Sequence, residues 1–186
     1  MSTLCTPFSA PAPTTERPLR ALLWKLVSKT IFKLLPSPAY KVRRAILLAF
    51  GATLDPTTRI RGGVTISHPW NLNIGRKSSI GEGAIIFNPA MLTMGNRSVI
   101  SQYCYITCVS NNDPSPDSPQ RPSPLTIGDD VWIATECIAL GNQSIPNGVV
   151  IGARSLITHN SFTPWTIATG HPAVSRKERH YTGLKA

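Results

Sequence analysis

The stretch that decides the fold lies near the middle of the chain, where residues 74–86 read IGRKSSIGEGAII. Isoleucine recurs every six residues, at Ile74, Ile80 and Ile86, and a small residue stands four positions after the first two, at Ser78 and Ala84. A period of six matches neither the period of about 3.6 of an α-helix nor that of about 2 of a strand. It indicates a repeated structural unit.

The same period extends over most of the chain. Fifteen aliphatic residues follow it, twelve of them isoleucine: Leu54, Ile60, Ile66, Ile74, Ile80, Ile86, Met94, Ile100, Ile106, Ile127, Ile133, Ala139, Ile145, Ile151 and Ile157. The position four residues later is small almost throughout, and only Trp70 and Gln143 break that rule. Each hexad is expected to form one face of a triangular coil, with the aliphatic residue inside and the small one at a corner. Because one coil cannot bury its own ends, coils must stack. The prediction is an all-β fold, a parallel β-helix of about five coils with a solid core.

Three breaks in the period are equally informative. The step lengthens to eight after Ile66 and after Ile86, and to twenty-one after Ile106. Each break follows three hexads, so the insertions at residues 67–73, 87–93 and 107–126 should leave from one edge of the prism. Loops stacked on a rigid scaffold are a common place for a functional site.

Composition divides the chain into four segments. Residues 1–18 are proline-rich and read as a disordered leader. Residues 19–50 have helical periodicity, residues 51–165 form the β-helix domain with loop 107–126 inserted, and residues 166–186 form a C-terminal tail.

The segment 19–50 is amphipathic and basic. Its leucines follow helical spacing, and Lys25, Lys29 and Lys33 recur on another face. Pro36 should end a first helix, and Gly51 a second one. Two interpretations stay open. The helices cap the solenoid, or they lie on an anionic membrane surface.

Charge and cysteine content exclude several classes. The formal charge is +10, but residues 17–50 hold eight Lys/Arg and no acid, which favours local anion sites or a membrane-facing end over a nucleic-acid channel. The four cysteines have neither CxxC spacing nor the density of a disulfide scaffold, so we expect no metal and a cytoplasmic, reduced protein. No apolar run reaches the length of about 18 residues of a membrane span.

Several local strings accompany the hexads. They read HPWNL at 68–72, VISQ at 99–102, IGDDVWIA at 127–134, IGARS at 151–155 and GHPA at 170–173. With the hexads, from about Leu22 to Arg179, they resemble the hexapeptide-repeat acyltransferases, in particular the colanic-acid-type O-acetyltransferases, with galactoside and maltose acetyltransferases more distant. The resemblance implies a left-handed β-helix, a homotrimer, and acetyl-CoA or another acyl-CoA as co-substrate between neighbouring prisms.

The resemblance also implies the residues that contact CoA. They are Trp132, Ala134, Gly152, Ala153 and Pro172 along the later coils, and Arg154, Arg176, Lys177 and Arg179 near the phosphates. Cationic side chains are the usual partners of phosphate oxygens.

One departure from the family bears on catalysis. The family's loop after the third coil carries a histidine that acts as general base, but here residues 108–114 read CVSNNDP. Asn111 or Asn112 stands at that position, and an amide cannot accept a proton at neutral pH. The candidate catalytic residues are therefore Asn111, Asn112, Asp113 and His68. His68 either serves a local turn or supplies the base, whereas His159, His171 and His180 are expected to be incidental.

The acceptor contacts are expected at Trp70, Asn88 and Gln102. Two functions remain open: an acyltransferase acting on a hydroxyl or amine of a sugar or related small molecule, and a catalytically silent relative that binds CoA or sugar or scaffolds a pathway. A zinc carbonic anhydrase is disfavoured because it needs three converging histidines. An ice-binding solenoid is disfavoured because no exposed threonine ladder accompanies the isoleucines.

Overall fold

The computed structural model describes residues 18–110, 121–158 and 162–180. Three helices come first, α1 Pro18–Lys29, α2 Ile31–Leu34 and α3 Tyr40–Ala49. Short strands then wind into a three-sided solenoid whose faces we name A, B and C. Residues 1–17 of the expected leader lie outside the described residues, and its last residue, Pro18, is the first residue of α1.

Each face is a stack of strands from successive coils. Face A contains β1 Thr53–Leu54, β4 Leu72–Ile74, β7 Leu92–Met94, β12 Leu125–Ile127 and β15 Gln143–Ile145. Face B contains β2 Arg59–Ile60, β5 Ser79–Ile80, β8 Val99–Ile100, β13 Trp132–Ile133, β16 Val150–Ile151, β18 Thr166–Thr169 and β19 Val174–Glu178. Face C contains β3 Thr65–Ile66, β6 Ile85–Phe87, β9 Tyr105–Thr107, β14 Ile138–Ala139 and β17 Leu156–Ile157. Pairing between coils is parallel, and only the pairing of β19 with β18 within the faces is antiparallel.

The core consists of the aliphatic residues of the six-residue period. All fifteen are buried, and the most accessible of them, Leu54, is 7% exposed. In register they form columns such as Ile80, Ile100 and Ile133 on face B. The predicted β-helix of about five coils is thus confirmed. Cys104 and Cys137, at the small positions, are buried as expected.

The corners explain the other sequence features of the repeat. At most corners away from the insertions, the third residue after an inward aliphatic residue takes a positive φ, as in Lys77 at 54° and Asp130 at 57°, which turns the chain sharply. Glycine often follows the aliphatic residue because coils approach closely there. A Cβ on Gly75 would lie 2.8 Å from the carbonyl carbon of Gly95.

The helical segment packs on the first coil. The Trp24 indole is 2% exposed and its Nε1 donates to the Ile66 carbonyl at 2.9 Å. Arg43 is fully buried and donates to main-chain carbonyls that include Ser37 at 3.1 Å and Ile60 at 3.3 Å. These contacts agree with the interpretation that the helices cap the solenoid. They leave much of the outer surface of α1 exposed.

Two segments carry more structure than their sequence indicated. The long insertion begins and ends as an antiparallel hairpin, β10 Val109–Ser110 with β11 Arg121–Pro122, and residues 111–120 lie outside the described residues. The segment assigned to a tail from residue 166 contributes β18 and β19 to face B. Within the described residues no helix has the length and apolar character needed to cross a membrane.

Candidate active site

The three insertions lie on one edge of the prism, between faces C and A, which we call the loop edge. Main-chain hydrogen bonds join successive insertions. Cys108 N of the third insertion donates to the Phe87 carbonyl of the second at 2.8 Å, and Asn142 N of the following coil donates to the Pro124 carbonyl of the third at 2.7 Å. The loop edge is therefore a continuous surface, as the spacing of the breaks predicted.

The Asn88 side chain joins the second insertion to the first. Its side chain is fully buried, and the amide bonds to the preceding insertion. Oδ1 accepts from His68 N at 3.1 Å, while Nδ2 donates to the carbonyls of His68 at 2.8 Å and Asn71 at 3.1 Å. Asn88 was expected to contact an acceptor. Its burial instead makes it a residue that fixes the conformation of the His68 turn.

These contacts favour one tautomer of His68. Ser67 Oγ accepts from Asn88 N at 2.8 Å and lies 2.8 Å from His68 Nδ1 and 3.2 Å from Asn88 Oδ1. A hydroxyl has one proton, so all three contacts are hydrogen bonds only if Ser67 donates to Asn88 and His68 Nδ1–H donates to Ser67. In the neutral ring that arrangement leaves the lone pair on Nε2, the form needed of a general base.

Aromatic rings surround the imidazole. The Trp70 ring meets it edge-on with centroids 5.3 Å apart, and the Phe87 ring lies at 6.4 Å. The Arg20 guanidinium covers the Trp70 ring at 4.9 Å. The His68 ring is therefore held by both a hydrogen bond and aromatic packing.

Two cavities meet at Phe87. One of about 520 Å³ lies between α1 and the first insertion and includes His68 and Trp70 in its wall. The other, of about 540 Å³, lies over face C and the base of the hairpin, where Val109 and Ser110 contribute to it. Phe87 contributes to both, so the loop edge offers adjoining spaces on either side of one ring.

The catalytic candidates of the hairpin cannot be placed. Asn111, Asn112 and Asp113 lie outside the described residues. Among the predicted catalytic residues, the structure locates only His68.

The predicted donor residues gather mainly at another edge, between faces B and C, which we call the donor edge. Trp132 is 49% exposed on face B, and its Nε1 donates to Ser101 Oγ at 2.9 Å. Arg154 Nε lies 2.7 Å from Glu136 Oε2 in an exposed ion pair on this edge. The hydrogen bond raises the pKa of Arg154, which stays protonated. The remaining expected residues on or beside this edge are Ala134, Gly152, Ala153, Pro172, Arg176 and Lys177.

Two residues, Gln102 and Arg179, lie on other edges than the residues with which they were expected to share a site. Gln102 is exposed on the donor edge, so face C separates it from His68. Arg179 lies at the edge between faces A and B, where Nη1 donates to the carbonyls of Asp130 at 2.6 Å and Gly148 at 2.9 Å. Arg179 and Arg154 therefore lie on different edges of one chain. Within the part of the chain that the structure describes, no cluster of three His, Cys, Asp or Glu side chains could hold a metal ion.

Four residues around this cavity are not identified by the sequence pattern. Ser67 lies in the first insertion, and only the fold shows that its hydroxyl contacts His68 Nδ1. Lys25 and Lys29 recur with Lys33 along the chain, yet nothing in the sequence places α1 beside the first insertion. Phe87 sits outside both repeat positions, and only the fold shows that it divides the two cavities.

Stacked hexad coils with a histidine-bearing loop edge define the class of hexapeptide-repeat acyltransferases. Comparison with known proteins agrees. The chain is 32% identical to the putative colanic acid biosynthesis acetyltransferase WcaF of Escherichia coli K12 over 161 residues, which cover 87% of this chain and 88% of that protein. The chain therefore belongs to the acetyltransferase family that includes WcaF, and it is an enzyme of acetyltransferase type. No protein-family model matches the sequence.

Solved structures agree on the fold. A maltose O-acetyltransferase from Clostridium difficile 630 superposes with a TM-score of 0.77 at 21% identity, covering 88% of both chains. The hexapeptide-repeat acetyltransferase VCA0836 of Vibrio cholerae, in complex with acetyl-CoA, superposes with a TM-score of 0.72 at 19% identity, covering 87% of both chains. These likenesses establish a left-handed β-helix.

Proposed function

We propose that the protein transfers an acetyl group from acetyl-CoA to a hydroxyl or amine of a sugar-like acceptor, with His68 as the general base. The observation that carries this proposal is the Ser67–His68–Asn88 network at the wall of the 520 Å³ cavity. The network both selects the Nε2 lone pair and holds the ring still. Support for the donor comes from the structural relative that is in complex with acetyl-CoA.

The chemistry requires one proton carrier. His68 Nε2 takes the proton of the acceptor hydroxyl as its oxygen attacks the thioester carbonyl carbon. The C–O bond forms, the C–S bond breaks, and the imidazolium returns its proton to the CoA sulfur. A positioned base contributes about 10²- to 10⁴-fold in rate. Asn111 or Asn112 serves as a hydrogen-bond donor that orients the acceptor or stabilises the developing oxyanion.

The geometry favours an assembly in which two subunits build each site. Within one chain, face C separates the donor edge from the loop edge. Face C is also apolar outward, with Ile85 43%, Tyr105 40% and Ile138 41% exposed in adjacent register. Face A, by contrast, presents polar residues such as Asn73 and Thr126. We therefore propose a homotrimer in which face C packs against a neighbour and brings that neighbour's donor edge to His68.

The outer surface of α1 supports a contact with an anionic membrane. Leu22 is 65% exposed, Leu26 64%, and Leu34 of α2 83%. Basic side chains of residues 17–50 accompany these leucines, and there is no acid among them. Apolar contact plus attraction to anionic lipid is the usual combination for an interfacial helix.

Since acetyl-CoA is the proposed donor, we place the enzyme in the cytoplasm, on the membrane's inner surface.

Acetyl-CoA-dependent thiol release with a panel of hydroxyl and amino sugars tests the activity. His68→Asn should lower the rate by about 100-fold or more while leaving the dissociation constant of acetyl-CoA unchanged. His180→Asn is the matched control, because His180 is exposed and outside both edges. Thiol release that survives in His68→Asn at the level of His180→Asn would remove His68 from catalysis. Absence of release with every acceptor would favour a binding protein.

A further inference from the structure

The cavity beside His68 has a wall that α1 supplies and that the mechanism does not use. Lys25, Ser28 and Lys29 line it from the helix, opposite Ser67 and His68 of the first insertion. The two lysines are one helical turn apart, so their ammonium groups can reach the same space. The helix that caps the solenoid therefore also closes one side of the catalytic cavity.

Among the residues that the structure describes, no acidic group balances the charge of this wall. No Asp or Glu is among the residues that line the cavity. Within the described residues, neither Lys25 nor Lys29 forms a salt bridge. The cavity holds about 520 Å³, far more than a simple ion requires. Two cations at one side of a space of that size fit an anionic group carried by a larger molecule.

The other side of the cavity is aromatic. Trp70, Phe87 and the imidazole of His68 contribute to it. Trp70 Nε1 is buried and has no hydrogen-bond partner among the described residues, whereas Trp24 Nε1 is satisfied by the Ile66 carbonyl. Aromatic side chains are a usual lining for the ring of a small-molecule ligand.

We infer that the acceptor is a glycosyl phosphate, with its phosphate between Lys25 and Lys29 and its sugar ring beside Trp70 and His68. This inference rests on the proposed function in taking His68 as the site of acyl transfer. A neutral sugar would leave the cationic wall of the cavity without a partner inside it, and a bare anion would make no use of the aromatic wall. The same chemistry is found in a soluble sugar phosphate and in a sugar phosphate linked to a membrane lipid.

Binding measurements test the inference without turnover. Calorimetry on the full-length protein would use glucose 1-phosphate, methyl glucoside and a polyprenyl glucosyl phosphate in detergent micelles. Lys25→Gln and Lys29→Gln should each weaken binding of the phosphate probes by about tenfold or more, since each removes a charge-assisted hydrogen bond. Lys41→Gln is the control, because Lys41 is an exposed lysine of α3 outside the cavity. Higher salt should weaken phosphate binding as well.

The outcomes separate this inference from the proposed function. Lysine-dependent binding of glucose 1-phosphate supports a soluble source, and lysine-dependent binding of the polyprenyl probe alone supports a lipid-linked one. Equal affinity for methyl glucoside and glucose 1-phosphate, or phosphate binding that is unchanged in both lysine variants, overturns the inference even if acetyl transfer is observed. Lysine-dependent phosphate binding without any thiol release would keep the inference and reject the proposed function.

Discussion

Replacing Asn88 with alanine should destabilise the protein more than any other polar substitution on the loop edge. The side chain is fully buried and bonds to three main-chain groups, His68 N, His68 O and Asn71 O. A buried group left without its partner costs about 1–3 kcal/mol. Three such groups lose a partner here, and water that enters the shortened site recovers part of the combined loss, so the free energy of unfolding should fall by about 3–5 kcal/mol.

Urea unfolding followed by tryptophan fluorescence measures this loss. The free energy of unfolding should decrease by about 2–3 kcal/mol per molar urea, so the urea concentration at the midpoint of unfolding should fall by about 1–2 M. Both proteins must be compared at one concentration, because association contributes to apparent stability. Asn73→Ala is the matched control, since Asn73 is exposed on face A and should change stability by less than about 0.5 kcal/mol. An Asn88→Ala midpoint equal to that of Asn73→Ala would refute the assigned network.

Four further outcomes follow from the fold. Ile133→Ala removes a fully buried side chain and should lower the free energy of unfolding by about 2–5 kcal/mol in urea titrations, and a loss below about 1 kcal/mol would contradict the core described above. Ile138→Asp places a charge in exposed face C and should convert the trimer into monomers by light scattering, while an unchanged mass would exclude face C from the interface. Leu22→Glu with Leu26→Glu should abolish co-sedimentation with anionic phosphatidylglycerol vesicles, and retained binding would end the membrane proposal. Burial raises the pKa of the Cys108 thiol to about 12, so thiol reagents at pH 8 should label Cys108 only after unfolding, and rapid labelling of the native protein would contradict its position.

Acid should weaken one corner of the solenoid in a defined direction. The Arg97 side chain donates to Asp130 and holds the pKa of that carboxyl below its usual range. A depressed pKa gives a stabilisation that is present above the unfolded-state pKa, about 4, and is lost as pH falls through the folded value. The decline in unfolding midpoint below pH 4 should therefore be smaller in Asp130→Asn than in the wild-type protein, and identical acid profiles would refute the role of the pair.

The fold was predictable because its sequence signal is local and repeated. Each inward position from Leu54 to Ile157 reports the same constraint, so single exceptions such as Ala139 do not hide the period. The position of the insertions followed from counting hexads. The site was only partly predictable, because its contacts join segments that share no period. Asn88 bonds to residues about twenty positions earlier, and α1 reaches the cavity only through the way that Trp24 docks.

The central claim is that His68 is the base of an acetyl transfer completed between subunits. A crystal structure of the protein with acetyl-CoA tests it most directly. We expect the thioester to lie at the junction of one protomer's donor edge with its neighbour's loop edge. We expect His68 Nε2 to lie close to the thioester. An acceptor hydroxyl at about 2.6–3.2 Å from Nε2 would then be in position to attack the thioester carbonyl carbon. A thioester that faces residues 111–113, with His68 beyond the reach of any acceptor bound beside it, would contradict the account.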